Sequence, residues 1–284
     1  MDPLLTSLLD LIHALRDDGI PLTIGGGFGL YLKRRHLDRT GERTLLDQLP
    51  EPRSTNDLDL FIRAEVLADL AKTRRVADAI RLLGYEPVTG AEYMQWRRPV
   101  PVGGETQYVK LDLLVGPISS HQSSLKVNGP RARPRGDVQL HARWTDEALT
   151  VDTRPVSVTL AGRRSSGEAA EETVFVPDAF PYLMMKLFAF HDRRDDPQKD
   201  VGRHHALDLY TVVGMMTEAE YDRAVATGRE LATDDRVTRA RAIVVADFSG
   251  VTRPGVLRMR EHPLFRETFQ LEAFVGVLGE IFGK

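Results

Sequence analysis

Two aspartates one residue apart, Asp57 and Asp59, are the residues of this sequence best suited to chemistry. From Asp57 to Leu60 polar and apolar residues alternate, which predicts a strand with both carboxylates on one face and leucines behind them. Carboxylate oxygens side by side repel each other, but they are the ligands that a hard divalent cation prefers. The pair is therefore either a metal site or a solvated strand edge.

A third aspartate, Asp112, lies in the second alternating segment, Thr106–Val115. The pattern places Asp112 on one face together with Tyr108 and Lys110, in an otherwise apolar strand. Because an isolated charge in such a setting is costly, Asp112 needs either a cation or an ion-pair partner. The sequence leaves both readings open.

A glycine cluster, Gly25-Gly26-Gly27, follows a short apolar segment at residues 21–24 and precedes a helical pattern at residues 30–35. A strand, a glycine turn and a helix in this order can present backbone N–H groups and a helix N-terminus to a phosphate. The other reading is a tight turn that needs positive φ angles.

Composition narrows the class of protein. The chain has 284 residues, a formal net charge of −3 and no cysteine, which excludes disulfides and thiolate chemistry and gives no global field for nucleic acid. No signal peptide and no apolar run long enough for a membrane span are recognisable, so we expect a cytoplasmic protein without a membrane partner.

Periodicity predicts an α/β part followed by a helical part, with the boundary near residue 176. We therefore expect domains at 1–176 and 177–284. The segment 36–52 is interpreted as an excursion or a small helical insert. The segment 117–147 is interpreted as irregular, with a positive local charge. Helices are predicted at 3–16, 64–83, 178–193, 201–216, 217–232, 235–248 and 264–282; further strands are predicted at 85–88, 93–99, 149–160 and 173–176.

The helical part contains a second group of charged residues. Lys186 lies in an apolar helical pattern, as either a phosphate ligand or a surface lysine whose amine reaches solvent. Asp200 and Asp208 are eight residues apart, so both could lie on one helix face, although Asp200 could instead cap the helix. Arg193 and Lys199 are candidate phosphate contacts.

Together these residues favour phosphoryl transfer. Three carboxylates on neighbouring strands, facing a glycine turn, can hold Mg²⁺ against the phosphates of a nucleotide while backbone amides contact the phosphate oxygens. Asp112 would be either a third metal ligand or the base that prepares an attacking hydroxyl.

With Gly26-Gly27, then Asp57-Leu58-Asp59, then Asp112, the chain resembles the nucleotidyltransferase superfamily with its DNA polymerase β-like fold. The resemblance implies an α+β fold, with a mixed β-sheet and flanking helices followed by a C-terminal helical bundle. It also implies Mg²⁺ as cofactor and an NTP as co-substrate. Gly27 and Asp57 are thirty residues apart, a longer gap than is usual in the superfamily.

The C-terminal half is similar to AbiEii/MenT-like toxins of abortive-infection and type IV toxin–antitoxin systems. The similarity rests on Lys186 and Arg193 and on Lys199-Asp200 followed by Asp208-Leu209-Tyr210; Arg53 and Thr55 match the lead-in to the acidic pair. It implies that these residues, with Gly25-Gly26-Gly27, surround the nucleotide. It also implies a toxin acting on tRNA or protein, with a possible cognate antitoxin.

Two other functions fit the same residues. One is nucleotidyl transfer to a small molecule, as in aminoglycoside modification. The other is a catalytically silent module that binds a nucleotide or an antitoxin.

Overall fold

A computed structural model describes residues 2–51, 55–118 and 123–283. The chain forms two compact units. The first unit contains Met1–Leu32, Ser54–Asp146 and Asp152–Pro177; the second contains Lys33–Arg53, Glu147–Val151 and Asp178–Lys284. The domains 1–176 and 177–284 stay a prediction, and the units differ from it because segments 33–53 and 147–151 belong to the second unit.

The first unit is built on one mixed sheet. Its helices are α1 (Pro3–Ala14), the start of α2 (Gly26–Thr40), α3 (Ala64–Ala68) and α4 (Leu70–Leu82). Its strands are β1 (Thr23–Ile24), β2 (Asp57–Phe61), β3 (Glu86–Pro87), β4 (Gln95–Val102), β5 (Glu105–Val115), β6 (Leu125–Asn128), β7 (Arg131–Pro134), β8 (Ala142–Trp144), β9 (Val156–Arg163) and β10 (Ala169–Val176).

The strand order is β6-β7-β8-β5-β2-β1-β10-β9, and β4 pairs with β5 and β3. The pairs β1–β10, β2–β5 and β5–β8 are parallel, whereas the other pairs are antiparallel. A mixed sheet with helices confirms the predicted α+β class. The long strand β5 is the centre of this arrangement, since β2, β4 and β8 all pair with it.

Helix α1 begins as the sequence dictates and covers one face of the sheet. Asp2 caps it by accepting hydrogen bonds from the N–H groups of Leu4 and Leu5 at 3.0 and 3.2 Å, and Pro3 fills the first turn. A side chain at Gly162 on β9 would meet Leu9 and Leu5, so this glycine allows α1 to pack close to the sheet.

The second unit is helical. It contains the end of α2, then α5 (Ala179–Arg193), α6 (Arg203–Gly214), α7 (Glu218–Glu230), α8 (Asp235–Asp247), α9 (Pro254–Arg260) and α10 (Leu271–Phe282). The predicted excursion 36–52 belongs to this unit, but its first residues, up to Thr40, are the end of α2. The N–H groups of Leu45 and Leu46 donate to the carbonyls of Met216 and Gly214 at 2.9 and 3.3 Å, and the Tyr210 hydroxyl donates to the carbonyl of Gln48 at 2.9 Å.

Several element predictions are wrong. The strand predicted at 149–160 begins only at Val156. Segment 117–147 is not irregular, since it contains β6, β7 and β8. The helix predicted at 64–83 is broken at Asp69, whose carboxylate caps α4 by accepting from the N–H groups of Ala71 and Lys72. The helix predicted at 264–282 begins only at Leu271. No helix in the described ranges has the length and apolarity to cross a bilayer.

Candidate active site

The three acids predicted from the sequence lie side by side on one face of the sheet. Asp57 and Asp59 are on β2 and Asp112 is on β5, and the parallel register sets Asp59 opposite Asp112. Leu58 and Leu60 point to the other face and are 1% and 0% exposed. The buried leucines therefore hold β2 so that both of its carboxylates share the face of Asp112.

The surroundings of Asp112 make its carboxylate harder to ionise than an ordinary aspartate. Burial, followed by the charges of Asp59 and Asp57, raises the pKa of Asp112 to about 6, although Lys110 and the Gln95 side chain act in the opposite direction. Gln95 lies opposite Asp112 in the antiparallel β4–β5 register. At neutral pH Asp112 is thus mostly charged, but the fold resists the charge.

Two carboxylate oxygens are buried without a hydrogen bond. Oδ1 of Asp57 and Oδ1 of Asp112 accept none from the described part of the chain. The Lys110 amine lies 3.7 Å from Asp57 Oδ1, too far for a hydrogen bond, and the two side chains as a whole are 59% and 43% exposed. Buried polar atoms are normally satisfied, so two orphan oxygens on one face are a sign of a missing partner.

The glycine turn lies directly against Asp59. The Gly25 N–H donates to the Asp59 carbonyl at 2.8 Å, and α2 begins at Gly26. Gly26 has a φ of +60°, and a Cβ atom added there would lie 1.6 Å from Asp59 Oδ2. Only glycine therefore fits this position, with Gly27 following in the first turn of the helix.

The lead-in to β2 is only partly described. The Thr55 hydroxyl accepts a hydrogen bond from the Asp57 N–H at 3.3 Å, so Thr55 positions the backbone beside the first acid. Arg53 lies outside the described residues, and its proposed contact with the nucleotide stays a prediction.

The donor set fits magnesium, although it is not a complete cage. Carboxylate oxygens suit Mg²⁺, and two of them accept no hydrogen bond from residues that the structure describes. Across residues 2–51, 55–118 and 123–283, no group of three or more His, Cys, Asp or Glu side chains is arranged to hold a metal ion. Because Mg²⁺ usually takes one or two carboxylates and completes its shell with phosphate and water, an incomplete set is compatible with a metal that binds together with a nucleotide.

Lys186 and Asp208 form a buried ion pair within the second unit. The Lys186 amine on α5 lies 2.7 Å from Asp208 Oδ2 on α6, and the two residues are 6% and 4% exposed. The reading of Lys186 as a surface lysine is therefore wrong. The sequence offered one signal for burial, an apolar residue on each side of Lys186 at helical spacing, but it did not identify the partner.

Asp200 does not share a helix face with Asp208, contrary to the expectation from spacing. It has a φ of +60° in a kinked segment, Pro197–Gly202, and α6 begins only after Gly202. Its carboxylate binds Arg203 and lies 3.4 Å from His204 Nε2. Asp200 is therefore neither the helix cap nor a neighbour of Asp208 along the helix.

The two remaining basic candidates are also in the second unit. Arg193 contacts His205, and Lys199 is 60% exposed with its amine 4.0 Å from Asp196. The structure thus brings together the glycines with the three acids in the first unit, and Lys186 with Asp208 in the second. Gln95 was missed because its place beside Asp112 depends on the hairpin register.

Comparisons with known proteins leave the chain without a family. No family model matches it, and no curated protein matches it. Among solved structures, the chain is similar to the antibiotic-resistance factor ANT(2'')-Ia, with a TM-score of 0.34 and 15% identity over 81% of this chain and 97% of that one. Both values are too low to assign a fold family or an activity, so the AbiEii/MenT-like assignment stays a prediction.

Replacing Asp112 by Asn tests the electrostatics of the acids in metal-free buffer. The folded pKa of about 6 exceeds the ordinary value of 3.8, so charging Asp112 costs folding free energy. The cost is absent below pH ~4, grows up to pH ~6 and is complete above it. We expect Asp112→Asn to be more stable than wild type by up to about 3 kcal/mol at pH 8, and equal to it at the lowest pH.

Denaturant titrations at several pH values measure this difference. Saturating Mg²⁺ should reduce the difference in stability between Asp112→Asn and wild type, because a bound cation offsets the cost of charging Asp112, which only the wild type has. A difference that is the same at every pH would contradict the assigned environment of Asp112.

Gly26→Ala tests the close approach of the turn to Asp59, and Gly103→Ala is its matched control. Both glycines have a φ of +60°, but a Cβ atom at Gly103 meets nothing within 4 Å. Each change should cost about 1–2 kcal/mol of backbone strain. Gly26→Ala should cost roughly 1–3 kcal/mol more, because the Asp59 carboxylate must move. Equal losses in thermal unfolding would show that the contact with Asp59 is unimportant.

A double-mutant cycle tests the buried ion pair. Lys186→Met and Asp208→Asn should each cost about 3–5 kcal/mol, because each leaves a buried charge without its partner, and the double variant should cost less than the sum. The exposed pair Arg258–Glu261, at 3.0 Å, is the control, with an expected coupling below about 1 kcal/mol. Additive losses at positions 186 and 208 would sink the assignment.

Proposed function

We propose that this protein is a Mg²⁺-dependent nucleotidyltransferase that moves an NMP group from an NTP to an acceptor hydroxyl. One observation carries the proposal. Asp57, Asp59 and Asp112 share a face beside a glycine turn, and one buried oxygen each of Asp57 and Asp112 accepts no hydrogen bond from the described residues. This arrangement suits a cation and the phosphate groups that it accompanies.

In this proposal the residues of the chain have separate roles. Asp57 and Asp59 would hold Mg²⁺, which when bound would neutralise charge on the phosphate oxygens. Gly25, Gly26 and Gly27 would set the start of α2, and so the helix N-terminus, towards the phosphate oxygens. Asp112 would either complete the metal ligands or accept the proton of the acceptor hydroxyl at Oδ1.

A carboxylate with a raised pKa is suited to the second role of Asp112. With a pKa of about 6, Asp112 is charged at neutral pH and is a stronger base than an ordinary aspartate. The acceptor oxygen would form a bond to the α-phosphorus, the bond to the bridging oxygen would break, and pyrophosphate would leave.

The nucleotide contacts predicted for residues of the second unit have less support than the roles of the three acids. Lys186 as a triphosphate ligand stays a prediction, and in the proposal Asp208 would hold its amine in place. Contacts of Arg193, Lys199 and Asp200 with a nucleotide also stay predictions. The toxin role and a cognate antitoxin are implied only by the resemblance.

Transfer of label from each of the four α-³²P NTPs tests the proposal. The protein is incubated with Mg²⁺ and, in separate arms, total tRNA, lysate protein and aminoglycosides. We expect one acceptor class to become labelled, with the signal lost in EDTA. Asp57→Asn and Asp59→Asn should lower the rate at least about 100-fold, because each removes a charge that stabilises the transition state.

Asp78→Asn is the control, since Asp78 is an exposed acid on α4. The toxin role is tested by comparing growth after induction between strains that express wild type and strains that express Asp59→Asn. Labelling that persists unchanged in both active-site variants, or the absence of labelling in every arm, would refute nucleotidyl transfer.

A further inference from the structure

The sheet face that carries the three acids also carries a regular array of cations. On β5, Lys110 and Leu114 are two residues before and after Asp112, so all three share one face. Leu114 lies opposite Arg143 on β8, and Arg143 lies opposite Arg131 on β7. Paired residues point to the same side of a sheet, so both arginines are on the face of Asp112.

Further cations of the same face lie on β6 and β7 and on β4. On β7, Arg133 shares the face of Arg131 and lies opposite Lys126 on β6. On β4, Arg97 lies opposite Lys110, and its guanidinium is 5.1 Å from the centre of the Tyr108 ring. Cations therefore flank Asp112 on both sides along β5.

Packing on the opposite face fixes this orientation. Leu125, Ala132 and Ala142 alternate with the cations and are only 2%, 0% and 0% exposed. Lys126, Arg133 and Arg143 are exposed to solvent. A one-residue shift of register would bury the charges, so the array is a stable property of the fold.

The cations create a local positive potential in a chain whose net charge is −3. Burial, together with the charges of Arg131 and Arg133, lowers the pKa of His141 to about 4. Among the described residues, no carboxylate forms an ion pair with Lys126, Arg133 or Arg143. The charges of these three residues are therefore available to a partner, whereas Lys110 faces Asp57 and Arg131 contacts His141 Nδ1 at 3.3 Å.

We propose that this surface binds the phosphodiester backbone of a single-stranded nucleic acid and leads it across Asp112. The basic face, as we call it, consists of Arg97, Lys110, Lys126, Arg131, Arg133 and Arg143. Arginine is suited to bidentate phosphate contacts. Positions on one strand face repeat about every 6.6–6.8 Å and neighbouring strands about every 4.8 Å, so the charges form an ordered array rather than an isolated pair.

Tyr108 adds a second element of recognition. It is an exposed aromatic side chain, 46% accessible, on the basic face, and bases of a single strand stack on such rings. The strand would then bring a terminal hydroxyl to the acids. The role of the bound strand as acceptor rests on the proposed function, whereas binding itself does not.

Fluorescence anisotropy tests binding without NTP or Mg²⁺. Labelled 20-nucleotide RNA and DNA of one sequence are titrated with wild type and with a variant in which Lys126, Arg131, Arg133 and Arg143 are all Gln. We expect the variant to bind at least tenfold more weakly at 100 mM salt. Its slope of log affinity against log salt should be smaller by about 3, since each phosphate contact contributes about 0.7 for single strands.

Two further variants make the result specific. The variant Lys72→Gln/Arg74→Gln lacks two exposed cations of α4 and should bind like wild type. A variant with Lys in place of Arg131, Arg133 and Arg143 should keep most of the salt slope that the Gln variant loses. Thermal unfolding checks that each variant is folded. Asp59→Asn should still bind, so a failure of nucleotidyl transfer is distinguishable from a failure of this proposal.

Equal binding of RNA and DNA would support recognition of the shared backbone, and a preference for either would support it with added selectivity. Two results would overturn the proposal: no binding by wild type at 50 mM salt, or an equal loss of binding in the α4 control.

Discussion

The parallel pairing of β2 with β5 is the constraint on which the candidate site depends. It places Asp59 opposite Asp112 and, one step along, Asp57 opposite Lys110. Like charges opposite each other destabilise a sheet. The pairing persists because the other face of the same strands is apolar and buried, and a shift of one residue would expose Leu58 and Leu60. The hydrophobic core thus maintains an arrangement of charges that would be unfavourable alone.

The glycine turn follows from the same constraint. With Asp59 held by the register, the chain at Gly26 passes so close to its carboxylate that a Cβ atom would collide with it, and a Cβ atom at Gly25 would lie 2.8 Å from the Phe61 ring. The beginning of α2 is therefore fixed against the acids by a backbone hydrogen bond and by the absence of Cβ atoms. The basic face also follows from the register, because the pairing of β4 and β8 with β5, and of β7 and β6 beyond β8, determines the side of the sheet on which each cation lies.

Local patterns were sufficient to predict the faces of the strands but not their pairing. A period of two correctly placed Asp57 with Asp59, and Asp112 with Lys110, on one face each. The register that joins the two strands depends on contacts far apart in sequence, so Gln95 could not be found. Segment 117–147 was misread because its strands are short and alternate small apolar residues with arginines, and Gly129 and Pro130 hid the hairpin between β6 and β7.

The second unit shows the same limit. Apolar periodicity predicted α5 and α6, but helical spacing alone wrongly joined Asp200 to Asp208. Asp200, Val201 and Gly202 have φ angles of +60°, +44° and +75°, a run of left-handed backbone that no local preference of aspartate or valine predicts. The burial of Lys186 required knowledge of a partner twenty-two residues away.

The raised pKa of Asp112 has a consequence for how fast the protein is degraded in a cell. A fold that resists one of its own charges is weaker when nothing compensates that charge, and any cation that binds the folded state alone strengthens it by mass action. Proteases act on the transiently opened chain, whose population follows this free energy. A molecule whose acids hold a cation would therefore be degraded more slowly than a molecule whose acids do not.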